Sequence, residues 1–518
     1  MANEKKKEGV TRRDFMKVAA VGAGGAGVVA LGFSSEAKAA APPTKWDMTT
    51  DVVVAGAGVG GLCAAVRAAT RGCKVVLIEA SKKTGGTGLF SSGLVGFARG
   101  TDLKKLMENA PYTDPVLGKT VMDNFGKMKN FFAEVGAPYK ELPPFNWQTY
   151  RLEGYILLGG KPIPEGARAY ADGMEAILAK AGGTLMKETK AIGLFQNAAG
   201  KVVGIKAIGK NGIAKNIGAE AVILACGSFG NNKELLVRYL GPEADLTAAR
   251  CVPYNDGTGL LMGLSAGAIL SRSMGTFYGH LVPYPMIIPQ DPESYEVGDA
   301  TKFQELLGNV QQYAPQSIVV NLNGERFVDE SMMDEWINQM TARQPKARAI
   351  VILDQNIREK FAGKSAITRR DNLELLMENG GIVEKADTIE DLVPKVKALG
   401  VHPGNFIRTV KEFNDAVDQK KTADLRIPKN GLVFKLDKPP FYAVPATSGI
   451  SIVYGGLAIN PKAEVLGIGQ VPISGLYAIP GVAGGIMHTD MWCVMSGNMT
   501  FGYVAAENAA ATIKAKKG

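Results

Sequence analysis

The pattern of hydrophobic and polar positions is clearest between residues 50 and 80. Residues 52–54 are three consecutive valines, a β-branched run that predicts a buried parallel strand. Leu62, Ala65, Val66 and Ala69 then recur at helical spacing, and residues 75–78 form a second apolar run. The order strand, helix, strand predicts a βαβ unit, and therefore a parallel sheet.

Glycines and one acid stand at the turns of this unit. Gly56, Gly58 and Gly61 have the G-x-G-x-x-G spacing, and Glu79 ends the second strand. Such glycines allow a tight turn, close approach of a pyrophosphate and close packing of helix on strand, while the acid accepts from a ribose hydroxyl. A plain glycine-rich turn is the alternative, but the complete order favours a dinucleotide site.

The remaining pattern continues the alternation of helices and strands. Further strands are predicted at residues 184–186, 191–196, 202–208, 222–224, 318–321 and 350–354, and helices at residues 121–135, 167–181, 405–417 and 498–506. Residues 284–312 have weak periodicity and are predicted to be rich in loops. The 63 glycines in 518 residues suit an α/β fold with many tight turns.

The N-terminus has the pattern of an export signal. Residues 11–17, Thr-Arg-Arg-Asp-Phe-Met-Lys, resemble a twin-arginine motif, and an apolar stretch follows up to Phe33. Residues 37–39, Ala-Lys-Ala, are typical of a cleavage site. A membrane-spanning helix is the alternative. We expect residues 1–39 to be removed, leaving a periplasmic chain with no membrane span.

Charge, cysteine and histidine usage exclude several classes of protein. The net charge of +9 is spread along the chain without clusters interleaved with aromatic residues, so nucleic-acid binding is not expected. The five cysteines form no C-x-x-C pair and no haem-attachment motif, and we expect buried thiols. With three histidines in the chain, no metal site is expected.

Several later segments resemble one superfamily of FAD enzymes. Residues 85–93 contain Gly-Gly-Thr and then Ser-Ser-Gly, and residues 221–230 read Ala-Val-Ile-Leu-Ala-Cys-Gly-Ser-Phe-Gly. Residues 255–257 are Asn-Asp-Gly, and residues 324–330 read Gly-Glu-Arg-Phe-Val-Asp-Glu. Together they resemble the fumarate reductase, flavocytochrome c and 3-ketosteroid dehydrogenase superfamily over nearly all of the chain after residue 39.

The resemblance implies a Rossmann-like FAD-binding domain of the glutathione reductase type with an inserted α+β cap. We expect the FAD-binding domain at residues 46–277 and 442–518 and the cap at residues 278–441. No histidine precedes His280, so FAD should be non-covalent. The implied cofactor-binding residues are Gly56, Gly58, Gly60, Gly61, Glu79, Ala80, Gly85, Gly86, Thr87, Ser91, Ser92, Gly93, Lys190, Ala191, Ala225, Gly227, Asp256, Gly497, Asn498 and Met499.

The catalytic positions depart from the family pattern. Four residues after Glu330, where the superfamily has a catalytic arginine or tyrosine, this chain has Asp334. The position of a second family arginine holds Val494. We expect Asp334 to exchange the proton, with His488 and His280 near the substrate and a cap tyrosine as the alternative donor. Without the two arginines, a dicarboxylate would be poorly paired, so a neutral, largely apolar substrate is expected.

Three functions remain open. The first is an ene-reductase acting on a C=C bond conjugated to a carbonyl, with electrons from a separate cytochrome c or quinol donor. The second is a ketosteroid-type dehydrogenase that works in the oxidative direction. The third is a flavin subunit that transfers electrons without catalysis. In the first two, FAD carries the redox chemistry, and the protein orients the substrate and exchanges the proton.

Overall fold

The computed structural model describes residues 38–98, 100, 102–147, 150–152, 154–161, 165–285, 310–363 and 370–517. The twin-arginine motif and nearly all of the predicted export signal lie outside the described residues. The same holds for most of the segment that the sequence predicts to be loop-rich, residues 284–312.

The helices and strands follow the predicted order, with longer bounds in most places. The strands are β1 Met48–Ala55, β2 Val75–Ile78, β3 Leu94–Val95, β4 Tyr139–Glu141, β5 Phe145–Trp147, β6 Tyr150–Leu152, β7 Ile156–Leu158, β8 Thr184–Met186, β9 Thr189–Gln196, β10 Val202–Gly209, β11 Ala214–Leu224, β12 Ala248–Ala249, β13 Phe277–Tyr278, β14 Leu281–Pro283, β15 Ile318–Val320, β16 Arg348–Asp354, β17 Glu384–Ala386, β18 Phe441–Ile450, β19 Ile452–Val453, β20 Glu464–Leu466 and β21 Pro472–Ala478. The helices are α1 Val59–Thr70, α2 Leu103–Asn109, α3 Pro115–Val135, α4 Glu165–Lys180, α5 Lys233–Leu240, α6 Thr258–Ser265, α7 Asp334–Thr341, α8 Gln355–Phe361, α9 Asn372–Glu378, α10 Ile389–Ala398, α11 Pro403–Asp418 and α12 Val494–Lys517.

A large sheet carries the predicted dinucleotide unit. Its central strand β1 pairs in parallel with β2 on one side and β11 on the other, and β8 and β21 extend the sheet in parallel. Residues 52–55 are fully buried because the strand has a neighbour on each edge and helices on its faces. The antiparallel strands β9 and β10 continue from β11. The mixed α/β fold predicted from the sequence is therefore confirmed.

Helix α1 packs closely on the sheet because small residues line its first turn. A Cβ on Gly61 would lie 1.9 Å from the carbonyl oxygen of Gly56, so only glycine permits this approach. On the other side of α1, a Cβ on Gly502 of α12 would lie 2.4 Å from the carbonyl oxygen of Gly60. The close crossing holds the start of α12, and with it Asn498, beside the glycine-rich turn.

A second sheet is organised around one long strand, β18. All ten of its residues are buried, and it pairs antiparallel with β14, β16 and β17 and in parallel with the short β12. A separate apolar core, with buried residues between Leu281 and Ala446, packs around this sheet. The core coincides with most of the residues predicted to form the cap, while the domain bounds themselves stay a prediction.

Three further findings concern membrane spans, metal sites and cysteines in the described residues. None of their helices is both long and apolar enough to cross a membrane. No group of three histidine, cysteine, aspartate or glutamate side chains in the described ranges is arranged to hold a metal ion. The five cysteines are free thiols, four of them buried and Cys226 half-buried.

Candidate active site

The glycine-rich turn after β1 opens into a long cavity. Gly56 has a positive φ of +105°, and a Cβ there would lie 2.4 Å from the carbonyl oxygen of Ala225. At Gly58, in contrast, a Cβ would meet no protein atom within 4 Å, because the position faces the cavity. The turn thus leaves space at the start of α1, where backbone N–H groups and the helix dipole favour a phosphate.

The acid at the end of β2 is buried at the edge of this cavity. Oε2 of Glu79 accepts from the backbone N–H of Ala57 at 2.7 Å, and Oε1 accepts from that of Ser81 at 2.8 Å. Burial raises the pKa of Glu79, and the two backbone donors oppose that rise. The carboxyl group is therefore fixed beside the turn, as a group that binds a ribose must be.

A second glycine loop packs against the first. Gly85 donates its backbone N–H to the carbonyl oxygen of Ala57 at 2.8 Å, and its φ of +108° requires glycine. Two residues further on, Oγ1 of Thr87 accepts from Nδ2 of Asn255 at 3.0 Å and from the backbone N–H of Val252 at 3.3 Å. The Gly-Gly-Thr segment and the Asn-Asp-Gly segment therefore meet at the cavity.

Most of the predicted cofactor-binding residues line this one cavity. Lys190 and Asp256 form an ion pair at its wall, with Nζ 2.5 Å from Oδ2. The full set on the lining is Gly56, Gly58, Glu79, Ala80, Gly85, Gly86, Thr87, Ser91, Ser92, Lys190, Ala191, Ala225, Gly227, Asp256 and Asn498.

Five predicted residues do not line the cavity. Gly60 and Gly61 pack α1 against its neighbours, and Met499 is fully buried in the core. Gly93 lies against Leu157, and a Cβ on Gly497 would lie 3.0 Å from Sγ of Cys493. In the structure these five residues contact other parts of the protein, and their role at the cofactor stays a prediction.

At the other end of the cavity, three side chains form a hydrogen-bonded chain. The hydroxyl of Tyr278 lies 2.9 Å from Nε2 of His280, and Nδ1 of His280 makes a very short contact with Oδ2 of Asp334. The second oxygen, Oδ1, accepts from the backbone N–H of Leu281 at 3.3 Å. Asp334 was predicted to exchange the proton, and in the structure its side chain is 4% exposed and pairs with the His280 ring.

Burial decides where the proton of this chain resides. It raises the pKa of Asp334 to about 8, against a lesser lowering by the Leu281 N–H and Arg250. Burial also lowers the pKa of His280 to about 3, so the ring is neutral at pH 7. Asp334 therefore donates its carboxyl proton in a hydrogen bond to Nδ1 of His280. The proton of the neutral ring is then on Nε2, and Nε2–H points at the oxygen of Tyr278. Burial raises the pKa of Tyr278 as well, and the phenol keeps its proton.

The end of β18 holds Tyr278, His280 and Arg250 in place through its backbone. The N–H of Gly449 donates to the carbonyl oxygen of His280 at 3.1 Å, and the N–H of Ser451 donates to that of Tyr278 at 2.9 Å. The N–H of Arg250 donates to the carbonyl oxygen of Ile450 at 2.8 Å. Three consecutive residues at one strand end therefore fix Tyr278, His280 and Arg250 relative to one another.

Arg250 and Tyr278 line the cavity but were not chosen as site residues from the sequence. Arg250 occurs outside every recognised motif, and no local signal identifies it. For Tyr278 a signal existed, because Tyr278 and His280 are two residues apart, and in extended backbone such residues face the same side. The structure brings both Arg250 and Tyr278 to the same cavity as His280.

The cavity wall beyond these groups is apolar, as the residues around the start of α12 predict. Met491, Trp492, Val494 and Met495 line it together with Tyr155. His488 is not part of the lining. Its ring lies 5.4 Å from that of Tyr112, and burial lowers its pKa. The structure therefore does not bring His488 to the same cavity as His280 and Asp334.

The cavity fits a flavin dinucleotide. It continues from the open space at Gly58, past the buried carboxyl of Glu79, to the protic and apolar groups around Tyr278. Residues 51–490 match the protein family described as FAD binding domain. The chain belongs to this family. The chain is accordingly an FAD-dependent oxidoreductase of the type that acts on C=C bonds, and its cofactor is FAD.

Two relatives and one solved structure are similar to this chain. A fumarate reductase (cytochrome) from Shewanella frigidimarina is 27% identical over 504 residues, covering 92% of this chain and 79% of that protein. A urocanate reductase from Eggerthella lenta is 28% identical over 501 residues, and the match covers 91% of this chain and 77% of the urocanate reductase. The structure of 3-ketosteroid delta1-dehydrogenase from Sterolibacterium denitrificans has a TM-score of 0.70 at 20% identity, covering 90% of this chain and all of that one, and shares the fold.

Proposed function

We propose that this protein is an exported, periplasmic ene-reductase that acts on a C=C bond conjugated to a carbonyl in a largely apolar substrate. One observation carries the proposal: the dinucleotide cradle and the Tyr278–His280–Asp334 chain open into the same cavity. The electrons come from a separate cytochrome c or quinol donor, since the chain has no haem-attachment motif. Bound FAD, held without a covalent bond, supplies the hydride.

The protein's part of the reaction is to hold the substrate and deliver one proton. Tyr278 donates its hydroxyl proton to the carbon next to the one that receives the hydride. The Nε2–H of His280 lies 2.9 Å from the phenol oxygen and restores its proton. The carboxyl proton of Asp334 moves to Nδ1 through their short contact. The chain ends with Asp334 ionised, and one proton from solvent returns it to the starting state.

The apolar wall determines which molecules fit. Val494, at the position of a family arginine, lines the cavity with Met491, Trp492 and Met495. A carboxylate placed here would lose its hydration without gaining a partner, which is unfavourable. This supports a substrate with an apolar body, such as an aryl group, next to its conjugated carbonyl.

A ketosteroid-type dehydrogenase remains the second candidate, because a tyrosine is the cavity group that exchanges the proton. In that direction Tyr278 would begin as the proton acceptor. The high pKa that burial imposes on its phenol means that Tyr278 starts as a proton donor at neutral pH, which is the state that reduction uses. An electron-transfer subunit without catalysis has no use for a buried proton chain beside the cofactor cavity.

Anaerobic half-reactions test the proposal. The reduced flavoprotein is mixed with enones, cinnamates and 3-ketosteroids, and reoxidation is followed by flavin absorbance. We expect reoxidation by an enone or an aryl acrylate, and no reduction of the oxidised protein by saturated ketosteroids. Reduction by a saturated ketosteroid would support the dehydrogenase instead, and failure in both directions would support the electron-transfer subunit.

A further inference from the structure

Arg250 is a buried cation in the wall of the reaction cavity. It directly follows β12, is 6% exposed and lines the cavity with Tyr278 and His280. Nη1 donates to Oγ of Ser451 at 2.8 Å. Nε is enclosed and has no hydrogen-bond partner among the described residues. A guanidinium has five N–H groups, and the described residues accept from only one of its nitrogens.

The described part of the chain offers Arg250 no ion pair. The charge of Asp334 would act on Arg250, but the raised pKa of Asp334 leaves it protonated below about pH 8. Glu335 also lines the cavity, where its charge acts on His280 and Tyr278. Burial of a cation without an opposite charge is unfavourable, and here it lowers the pKa of Arg250. A bound anion would remove this cost.

The geometry points to Arg250 as the binding site for one carboxylate of the substrate. The substrate is then an α,β-unsaturated monocarboxylic acid, with its acid group on Arg250 and its apolar body against Met491, Trp492 and Val494. This inference rests on the proposed function and corrects the expectation of a neutral substrate, which considered only the two family arginine positions. In this arrangement the guanidinium also attracts the negative charge that moves onto the carboxylate as the β-carbon accepts hydride.

The test compares an acid with its uncharged ester in the FAD-loaded protein. The probes are 3-phenylacrylate and its methyl ester, titrated against the oxidised flavin spectrum and then used to reoxidise the reduced protein. Hydrogen bonds between charged groups predict that the acid binds about 10- to 100-fold more tightly than the ester. Arg250→Met should remove that difference, mainly by weakening the binding of the acid. Arg250→Lys should retain part of it.

Controls separate this site from its neighbours. Arg272→Met removes a half-exposed arginine outside the cavity lining and should keep the preference for the acid. Equal affinity of the wild type for acid and ester, including no binding of either, would overturn the inference. It would also be overturned if Arg250→Met retains the preference, or if both Arg250 variants lose FAD, since Arg250 would then serve the cofactor.

The two proposals fail in different ways. If the acid binds through Arg250 but neither probe reoxidises the reduced flavin, the anion site stands and the proposed reduction fails. If acid and ester reoxidise the flavin equally well in wild type and Arg250→Met, the reduction stands and the anion site fails.

Discussion

The hydroxyl of Tyr278 lies 2.9 Å from Nε2 of His280, in a cavity that also contains the FAD cradle. Tyr278 is half-buried, and His280 is 14% exposed and lies between the phenol and a buried carboxyl. The hydrogen bonds order the three groups: the phenol contacts the imidazole, and the imidazole contacts the carboxyl. The first three predictions concern these hydrogen-bonded side chains and the glycine-rich turn predicted to hold the cofactor.

Tyr278→Phe removes the proposed proton donor and leaves the ring. General acid catalysis contributes about 10²- to 10⁴-fold, so turnover should fall by that factor while FAD content and substrate affinity change little. Flavin reoxidation measured by stopped flow gives the chemical step directly. Tyr112→Phe, at an exposed tyrosine outside the cavity lining, is the matched control. A Tyr278→Phe protein with normal turnover would assign the donor elsewhere.

Asp334→Asn should change the pH dependence as well as the rate. Burial places the pKa of Asp334 at about 8, so the Asp334 carboxyl keeps its proton below pH 8 and loses it above. Reduction by the wild type should therefore decline as the pH rises through about 8. The asparagine variant cannot pass on a proton, so it should be slower at pH 7 and lack this decline. Asp437→Asn, on the surface, should retain it; persistence of the decline in Asp334→Asn would refute the assignment.

Gly58→Val and Gly61→Ala should fail for different reasons. A Cβ at Gly58 meets no protein atom within 4 Å, so the variant should fold but lose FAD, because the side chain occupies space for the pyrophosphate. A Cβ at Gly61 would lie 1.9 Å from the carbonyl oxygen of Gly56, and this overpacking should destabilise the fold itself by about 1–3 kcal/mol. Flavin absorbance and thermal unfolding distinguish the two. Full FAD occupancy in Gly58→Val would show that the cradle lies elsewhere.

Glu330→Gln should destabilise the second core. Glu330 is fully buried, accepts from Nε of Arg326 at 2.9 Å and lies 3.7 Å from Nζ of the fully buried Lys429. Removing its charge leaves two buried cations unpaired, which typically costs about 3–5 kcal/mol. Urea unfolding measures the loss. Glu359→Gln, which breaks an exposed pair with Lys438, should have little effect. Equal stability of the two variants would contradict this role for Glu330.

Fumarate should be a poor substrate. Arg250 can pair with one carboxylate, but the other would face Val494 and its apolar neighbours without a partner. We expect turnover with fumarate to be well below that with 3-phenylacrylate, in steady-state assays with an artificial electron donor. Comparable turnover with both would show that the cavity contains a second site for an anion.

The sequence predicted the FAD-binding end of the cavity more fully than the end that contains Tyr278, His280 and Asp334. Residues 51–79 carry the βαβ unit of the FAD-binding site in one continuous stretch, so the spacing of its residues was informative. The predicted helix and both predicted strands were found there. The predicted strand at residues 222–224 is the end of a longer strand, Ala214–Leu224, whose first part has mixed burial and no clear apolar run.

The reacting groups could not be predicted in the same way, because they come together through distant pairing. Asp334 is 54 residues from His280, and Arg250 is 201 residues from Ser451. The position of Asp334 was inferred from its offset to Glu330, which places it in the chain but does not say which way its side chain faces. The structure shows the carboxyl behind His280, and no local pattern encodes that contact.

The strand end at residues 449–451 has a consequence for how this protein could diversify. It fixes Tyr278, His280 and Arg250 through main-chain hydrogen bonds, which do not depend on the side chains of the strand. The apolar wall, in contrast, is formed mainly by residues 491–495, on a different part of the chain. Substitutions in that wall could exchange one substrate body for another while the proton-transfer groups keep their geometry. Related proteins could therefore evolve new substrate specificities while they keep the same proton-transfer groups.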